Sequence, residues 1–189
     1  DPQILKVMKK KTGMMANIPG GEAFTTPTYV KGRIVGDVVI NIDRSYMLNG
    51  NEPFVVEAYG DNYKLISAAK EVKVAFEKRK RDAWKNILEQ EKNKSLNKEI
   101  IELKKKNFNQ VGEFAINTNP NARLCDYLIV NEKIANMIHV AFGSGFEADA
   151  ATEYHMDVVI DSPRQKLDIY GVDKKNIQHW IIKSGAFVL

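Results

Sequence analysis

The sequence predicts an α+β protein in which a mixed, mostly antiparallel sheet carries the functional face. Two observations support this class. Short runs rich in Val, Ile, Phe and Tyr, bounded by Gly, Pro, Asn and Asp, occupy both ends of the chain. Between them, Lys70 to Lys106 contains neither proline nor glycine and repeats its apolar residues at helical spacing. Strands at the ends and helices in the middle define the class. At 189 residues the chain is long enough for one well-packed domain without disulfides, and we read it as a single domain, 1–189, with a helical insertion at 70–106.

Taken in order, Ile4, Leu5 and Met8 suggest that the chain opens in mid-helix, and it has no initiator methionine, so a fragment of a longer protein is expected. Pro19-Gly20-Gly21 then forms a turn that delivers Glu22 to the start of a strand. Tyr29 to Asp43 is strand-like, with Gly32 and Gly36 as turn or bulge points, and Pro53 to Tyr59 adds another strand. In the central segment Val72, Phe76, Ala83, Ile87 and Leu88 mark one helical face, and Glu77 with Arg81 and Lys85 with Glu89 are spaced to pair across a turn. Cap-forming residues at Asn93 to Asn97 interrupt the pattern. Ile100, Leu103 and Phe108 resume it, which predicts a second helix. Strands follow at Val111 to Asn117, Met137 to Phe142 and His155 to Ile160, with a short helix around Tyr127 to Ala135. Trp180 to Val188 reads as a closing strand broken at Ser184-Gly185.

Charge is unevenly distributed. Lys70 to Lys106 holds 13 Lys and Arg against 7 Asp and Glu, a net of +6, although the whole chain carries only +4. Such a segment suits a nucleic-acid or acidic partner, or simply a solvated face. No set of aromatic residues interleaves with the charges for base stacking, which argues against nucleic acid. No run approaches the roughly 20 apolar residues of a membrane span, and the N-terminus lacks signal-peptide architecture. The single Cys125 has no partner for an internal disulfide, and a cytoplasmic location is expected. Asn93-Lys94-Ser95 matches a glycosylation sequon that has no role in that compartment.

Four places offer donors for a metal ion or a proton-transfer pair. His155 and Asp157 alternate along a strand, so both face one side about 6 to 7 Å apart. Glu113 lies in an otherwise apolar strand, where a buried carboxylate must be paired, protonated or metal-bound. His139 is embedded in Met137 to Phe142 and is either a hydrogen-bonded core histidine or a ligand. Glu22 is either an exposed turn residue or a fourth contributor. Gathered in one site, these groups form an oxygen and nitrogen donor set without thiolate, which suits Zn²⁺, Co²⁺, Mn²⁺ or Fe²⁺. Three carboxylates and two imidazoles have the capacity for two divalent ions roughly 3.5 to 4 Å apart with one carboxylate bridging. Arg164, Lys166 and Asp168 offer either contacts for substrate termini or an ordinary surface loop, and His179-Trp180 suggests packing.

With these residues in this order, the chain resembles the thermophilic metallo-aminopeptidase family of the aminopeptidase T type. The matching elements are Asn17-x-Pro19 with Glu22-x-Phe24-Thr25, Gly112-Glu113-Phe114 with Asn119-Pro120, His139-x-Ala141-x-Gly143, and His155-x-Asp157. The resemblance implies a two-metal site with Glu22, Glu113, His139, His155 and Asp157 as ligands. It also implies release of N-terminal residues from peptides, with Glu22 or Glu113 as proton shuttle. The longer interval between Glu22 and Glu113 is accounted for by the basic insertion. Two departures stand out: Phe146 occupies the position where the family has a tyrosine, and the family's N-terminal domain is missing. Tyr154, as the strand neighbour of His155, is expected to face away. The alternatives are a mononuclear non-haem iron dioxygenase-like protein and a catalytically inactive metal-binding or interaction module. A peptide substrate is the expected partner, and a homodimer is compatible with an exposed strand edge or with the helices.

Overall fold

The computed structural model describes residues 20–188, so the expected opening helix at Ile4, Leu5 and Met8 and the Asn17-x-Pro19 element lie outside the described residues. The strands in the first part of the chain are β1 (Glu22–Thr25), β2 (Val30–Gly36), β3 (Val39–Asn41), β4 (Ser45–Met47), β5 (Phe54–Gly60) and β6 (Tyr63–Ser67). Helices α1 (Lys70–Lys92) and α2 (Lys98–Lys106) follow, then β7 (Val111–Asn117), the short helix α3 (Leu128–Asn131), β8 (Met137–Gly143) and β9 (His155–Asp161). The chain closes with α4 (Ser162–Gln165), β10 (Ile169–Val172), β11 (Gln178–Lys183) and β12 (Ala186–Phe187).

The α+β class holds, and the strands divide into three sheets with the orders β1-β7-β8-β9-β3-β4, β2-β5-β6 and β10-β11-β12. Every strand pairing is antiparallel; the only parallel contact among the described residues is the isolated bridge between Asn119 and Ile134. The stretch from Tyr29 to Asp43 does not stay in one sheet. It changes sheets at Asp37, and a Cβ on Gly36 would lie 2.1 Å from Val158 Cγ2, so glycine is what lets β2 pass this close to β9. Arg164 secures the crossing: its Nε donates to Asp37 Oδ2 at 3.0 Å, and Asp37 Oδ1 accepts from the Asp161 amide at 2.9 Å. Asp168 accepts from the Ser184 amide at 2.7 Å, and Lys166 caps α4 in a left-handed conformation. Arg164, Lys166 and Asp168, read as either contacts for substrate termini or a surface loop, thus have structural roles around α4.

The basic segment forms two helices, and its apolar stripe is part of the core. Val72, Phe76, Ala83 and Ile87 are buried, whereas Leu88 remains 44% exposed. Phe76 meets Phe54, Tyr63 and Phe142 with ring centroids 5.1, 6.2 and 6.0 Å away, joining helix, small sheet and large sheet in one aromatic cluster. Asn97 caps α2 by accepting from the Ile100 amide at 2.8 Å. The second helix stops at Lys106, and Phe108 enters the core from a 3₁₀ turn instead of from the helix. Trp84, an aromatic within the charged run, packs edge-on against Phe108 at 4.8 Å. Lys85 and Glu89 pair at 3.7 Å and Lys78 and Asp82 at 2.6 Å, whereas Glu77 and Arg81 form no ion pair among the described residues. No helix among the described residues is long and apolar enough to cross a membrane.

Candidate metal centre

The large sheet has two chemically different faces because side chains alternate along each strand while directly opposed residues point the same way. Glu113, Ala141 and Asp157 oppose one another across β7, β8 and β9; Ala115 opposes His139, Gly143 opposes His155, and Glu22 opposes Asn117. Glu22, Glu113, Asn117, His139, His155 and Asp157 therefore share one face. Ile116, Ile138, Val140, Phe142, Met156, Val158 and Ile160 form the other and pack into the core. A bulge between Val111 and Glu113 sets the phase of β7. At its centre, a Cβ on Gly112 would lie 2.4 Å from the carbonyl oxygens of Gly143 and Ser144, so glycine is required for Glu113 to reach this face.

Both histidines are held in the same way. His139 Nδ1–H donates to Asn117 Oδ1 at 2.7 Å, which turns Nε2 toward Glu113 Oε1 at 3.0 Å and Glu22 Oε2 at 3.7 Å. His155 Nδ1–H donates to the Ser144 carbonyl at 2.8 Å, and its Nε2 faces Asp157 Oδ1 at 3.0 Å and Glu113 Oε2 at 3.9 Å. An outward acceptor on Nδ1 fixes the tautomer whose Nε2 is available inside, as in metal sites. Glu113 stands between the two histidines with one oxygen toward each.

Two residues that the sequence reading missed complete the cluster. Glu132 and Lys133 leave the end of α3, where a longer helix to Ala135 was expected. Lys133 is wholly buried, with Nζ 2.5 Å from Glu22 Oε2 and 3.2 Å from Glu132 Oε2. Donor atoms of Glu22, Glu132 and His139 all lie within 4.8 Å of one another. The available signal was an acid-lysine pair flanked by the apolar residues Ile129, Val130 and Ile134; lysine's usual exposure hid it. Asn117 could have been found from its alternation with Glu113 and Ala115.

The electrostatics show a surplus of negative charge. Four carboxylates, from Glu22, Glu113, Glu132 and Asp157, surround one lysine and two imidazoles. Burial favours a neutral His139, yet its bond to Glu113 and the charges of Asp157, Glu113 and Glu132 raise its pKa overall. For His155 burial is likewise outweighed, by the hydrogen bond and charge of Asp157, the Ser144 carbonyl and Glu113, and its pKa rises to about 9. Burial pushes Asp157 up, but His155, His139 and Lys133 together hold it below the usual carboxylate range. Burial and the Asp157 charge raise Glu132 to about 7 against the pull of Lys133 and His139. Protons on the imidazoles thus supply positive charge that divalent ions would also supply, and the thiol-free donor set fits Zn²⁺, Co²⁺, Mn²⁺ or Fe²⁺.

The other residues considered lie elsewhere. Phe146 is 74% exposed and packs edge-on against Phe24 at 5.2 Å. Tyr154 points into the core, as expected, where its hydroxyl donates to the Phe108 carbonyl and meets the Tyr63 hydroxyl at 2.8 Å. His179 pairs with Asp173 at 3.2 Å in the three-stranded sheet of β10, β11 and β12. Neither a family model nor a curated protein sequence matches the chain.

Proposed function

We infer that this chain is a cytoplasmic, metal-dependent, aminopeptidase-like hydrolase that removes N-terminal residues from peptides with water activated at a two-metal site. The observation that carries this reading is the place of Glu113 between two histidine-acid pairs: one of its oxygens lies 3.0 Å from His139, whose Nε2 also meets Glu22, and the other 3.9 Å from His155, whose Nε2 also meets Asp157. A carboxylate standing between two such pairs suits a site for two divalent ions. The ordered motif resemblance supplies the reaction class, and exposed, unpaired Cys125 is consistent with a reducing compartment.

Bound divalent ions would supply Lewis acidity and a water of lowered pKa. The chain's own residues set the geometry. Asn117 and the Ser144 carbonyl hold the imidazoles with Nε2 inward, and Lys133 fixes Glu22 and Glu132. Glu132, with its pKa near neutrality, joins Glu22 and Glu113 as a group able to take a proton and return it.

Elemental analysis of the purified, metal-replete protein tests the site. About two equivalents of Zn, Co or Mn are expected; one equivalent of Fe would favour the dioxygenase-like alternative, and none would defeat both. Asp157→Asn should lower the retained metal, and cleavage of an aminoacyl p-nitroanilide by the loaded protein tests the reaction.

A further inference from the structure

A cleft of about 250 Å³ opens beside the cluster, and its wall includes His155 and Asp157 together with Asn41, Asp43, Arg44 and Asp126. Asn41 ends β3. The β3-β9 register places Ile40 opposite Val158, and one step further sets Asn41 across from Asp157 on the same face of the sheet. Its residue is only 4% exposed. Ser45 Oγ donates to Asn41 Oδ1 at 3.0 Å, which fixes the orientation of the amide. The Nδ2 group is left buried with no hydrogen-bond partner among the described residues. Buried donors without partners are rare in folded proteins, and one held in place beside a charged cluster is poised for a ligand acceptor.

The wall carries both signs, Asp157, Asp43 and Asp126 against Arg44 and His155, and Arg44 lies over the Tyr46 ring at 4.3 Å. A wall with both signs leaves the amide N–H as the feature that selects an acceptor, and a peptide substrate offers its carbonyl oxygens. We propose that Asn41 Nδ2 donates to the carbonyl oxygen of the substrate's N-terminal residue, the carbonyl that water attacks, and that Ser45 holds the amide in this orientation. This inference rests on the aminopeptidase-like reading. It also places a hydrogen-bond donor on the cleft wall, independent of the outward-facing Phe146. As negative charge builds on the attacked oxygen, a fixed donor in a cleft strengthens its bond, so the effect belongs in kcat.

The test uses the metal-loaded protein and an aminoacyl p-nitroanilide. Asn41→Ala should lower kcat by about 10²-fold with KM little changed and metal content unaltered. Asn41→Asp, which replaces the donor by an acceptor, should lose at least as much. Ser45→Ala leaves Asn41 in place but frees its amide, so it should lose several-fold and serves if the Asn41 variants fail to fold. A readout independent of turnover is the infrared band of a carbonyl-labelled aminoacyl amide bound to metal-free protein: it should move to lower frequency in wild type and return in Asn41→Ala. An unchanged kcat in Asn41→Ala, a loss confined to KM, or an unmoved carbonyl band would overturn the inference while leaving the hydrolase reading intact. A loaded wild-type protein that cleaves no aminoacyl anilide would remove both.

Discussion

At β8 the two faces of the central sheet are equally buried but energetically opposite. Along β8, Ile138, Val140 and Phe142 turn to the core while His139 and Ala141 turn to the cluster, and every one of these side chains is buried. Burial on the first face is favourable at about 25 cal/mol per Å² of apolar surface, so it helps hold the fold together. On the second face the same burial removes water from four carboxylates and a lysine, which costs stability unless every charge is compensated. A strand that satisfies both faces at once encodes fold with its even positions and chemistry with its odd ones. Substitutions should therefore produce different signatures on the two sides.

The largest expected effect is on the core face. Phe142→Ala removes a ring that packs against Phe54, Tyr63 and Phe76, at 5.8, 4.6 and 6.0 Å, and should cost about 3 to 5 kcal/mol in denaturant unfolding. Metal stoichiometry of the folded fraction should not change. Loss of metal in step with stability would show that the two faces are not separable.

Lys133→Met should rank next, at roughly 3 kcal/mol, because it leaves Glu22 and Glu132 buried without their cation. Unlike the core variant, it should recover on adding Zn²⁺, which restores positive charge to the same oxygens. Unfolding curves with and without metal distinguish the two. A destabilisation untouched by metal would recast the cluster as a structural ion pair. Asn117→Ala is smaller again: releasing His139 Nδ1 should weaken metal affinity about 10- to 100-fold, measured by chelator competition, with little change in unfolding.

The two faces also differed in how readily they could be read. Strict alternation made β7, β8 and β9 legible to within about a residue, and it placed His155 and Asp157 on one side of their strand; that Glu113 and His139 share this face follows from the strand registers. The α+β class followed from the same pattern. What escaped was set by contacts distant in sequence. Gly36 was legible as a turn or bulge point, but the change of sheet at Asp37 depends on Gly36 lying against Val158, which is distant in sequence. Glu132 and Lys133 reach the cluster on an irregular segment held by Asn119, whose amide donates to the Lys133 carbonyl at 2.8 Å and whose carbonyl accepts from Ala135 at 3.0 Å. Periodicity carries no information about such a loop.

The finest comparison is in pH dependence, where one cationic group near each face should pull stability in opposite directions. His155 has its folded pKa raised to about 9 by its carboxylate neighbours. The native state therefore holds the extra proton between the unfolded value near 6.5 and about 9. Its contribution is fully present below the lower value and is lost as pH rises through the upper one. Lys80 lies on the core side, over the Tyr63 ring at 4.4 Å, and burial lowers its folded pKa to about 8. Here the unfolded chain holds the extra proton between about 8 and 10.5, so stability rises with pH across that window. In metal-free protein the two slopes should partly cancel near pH 8 to 9. Lys80→Met should expose the falling limb, and adding Zn²⁺ should suppress it, because a metal that replaces the His155 proton binds more tightly as pH rises. Unfolding at a series of pH values, with each variant and each metal state, checks the sign of both slopes. A falling limb that survives saturating metal would mean that His155 keeps its proton and is not a ligand.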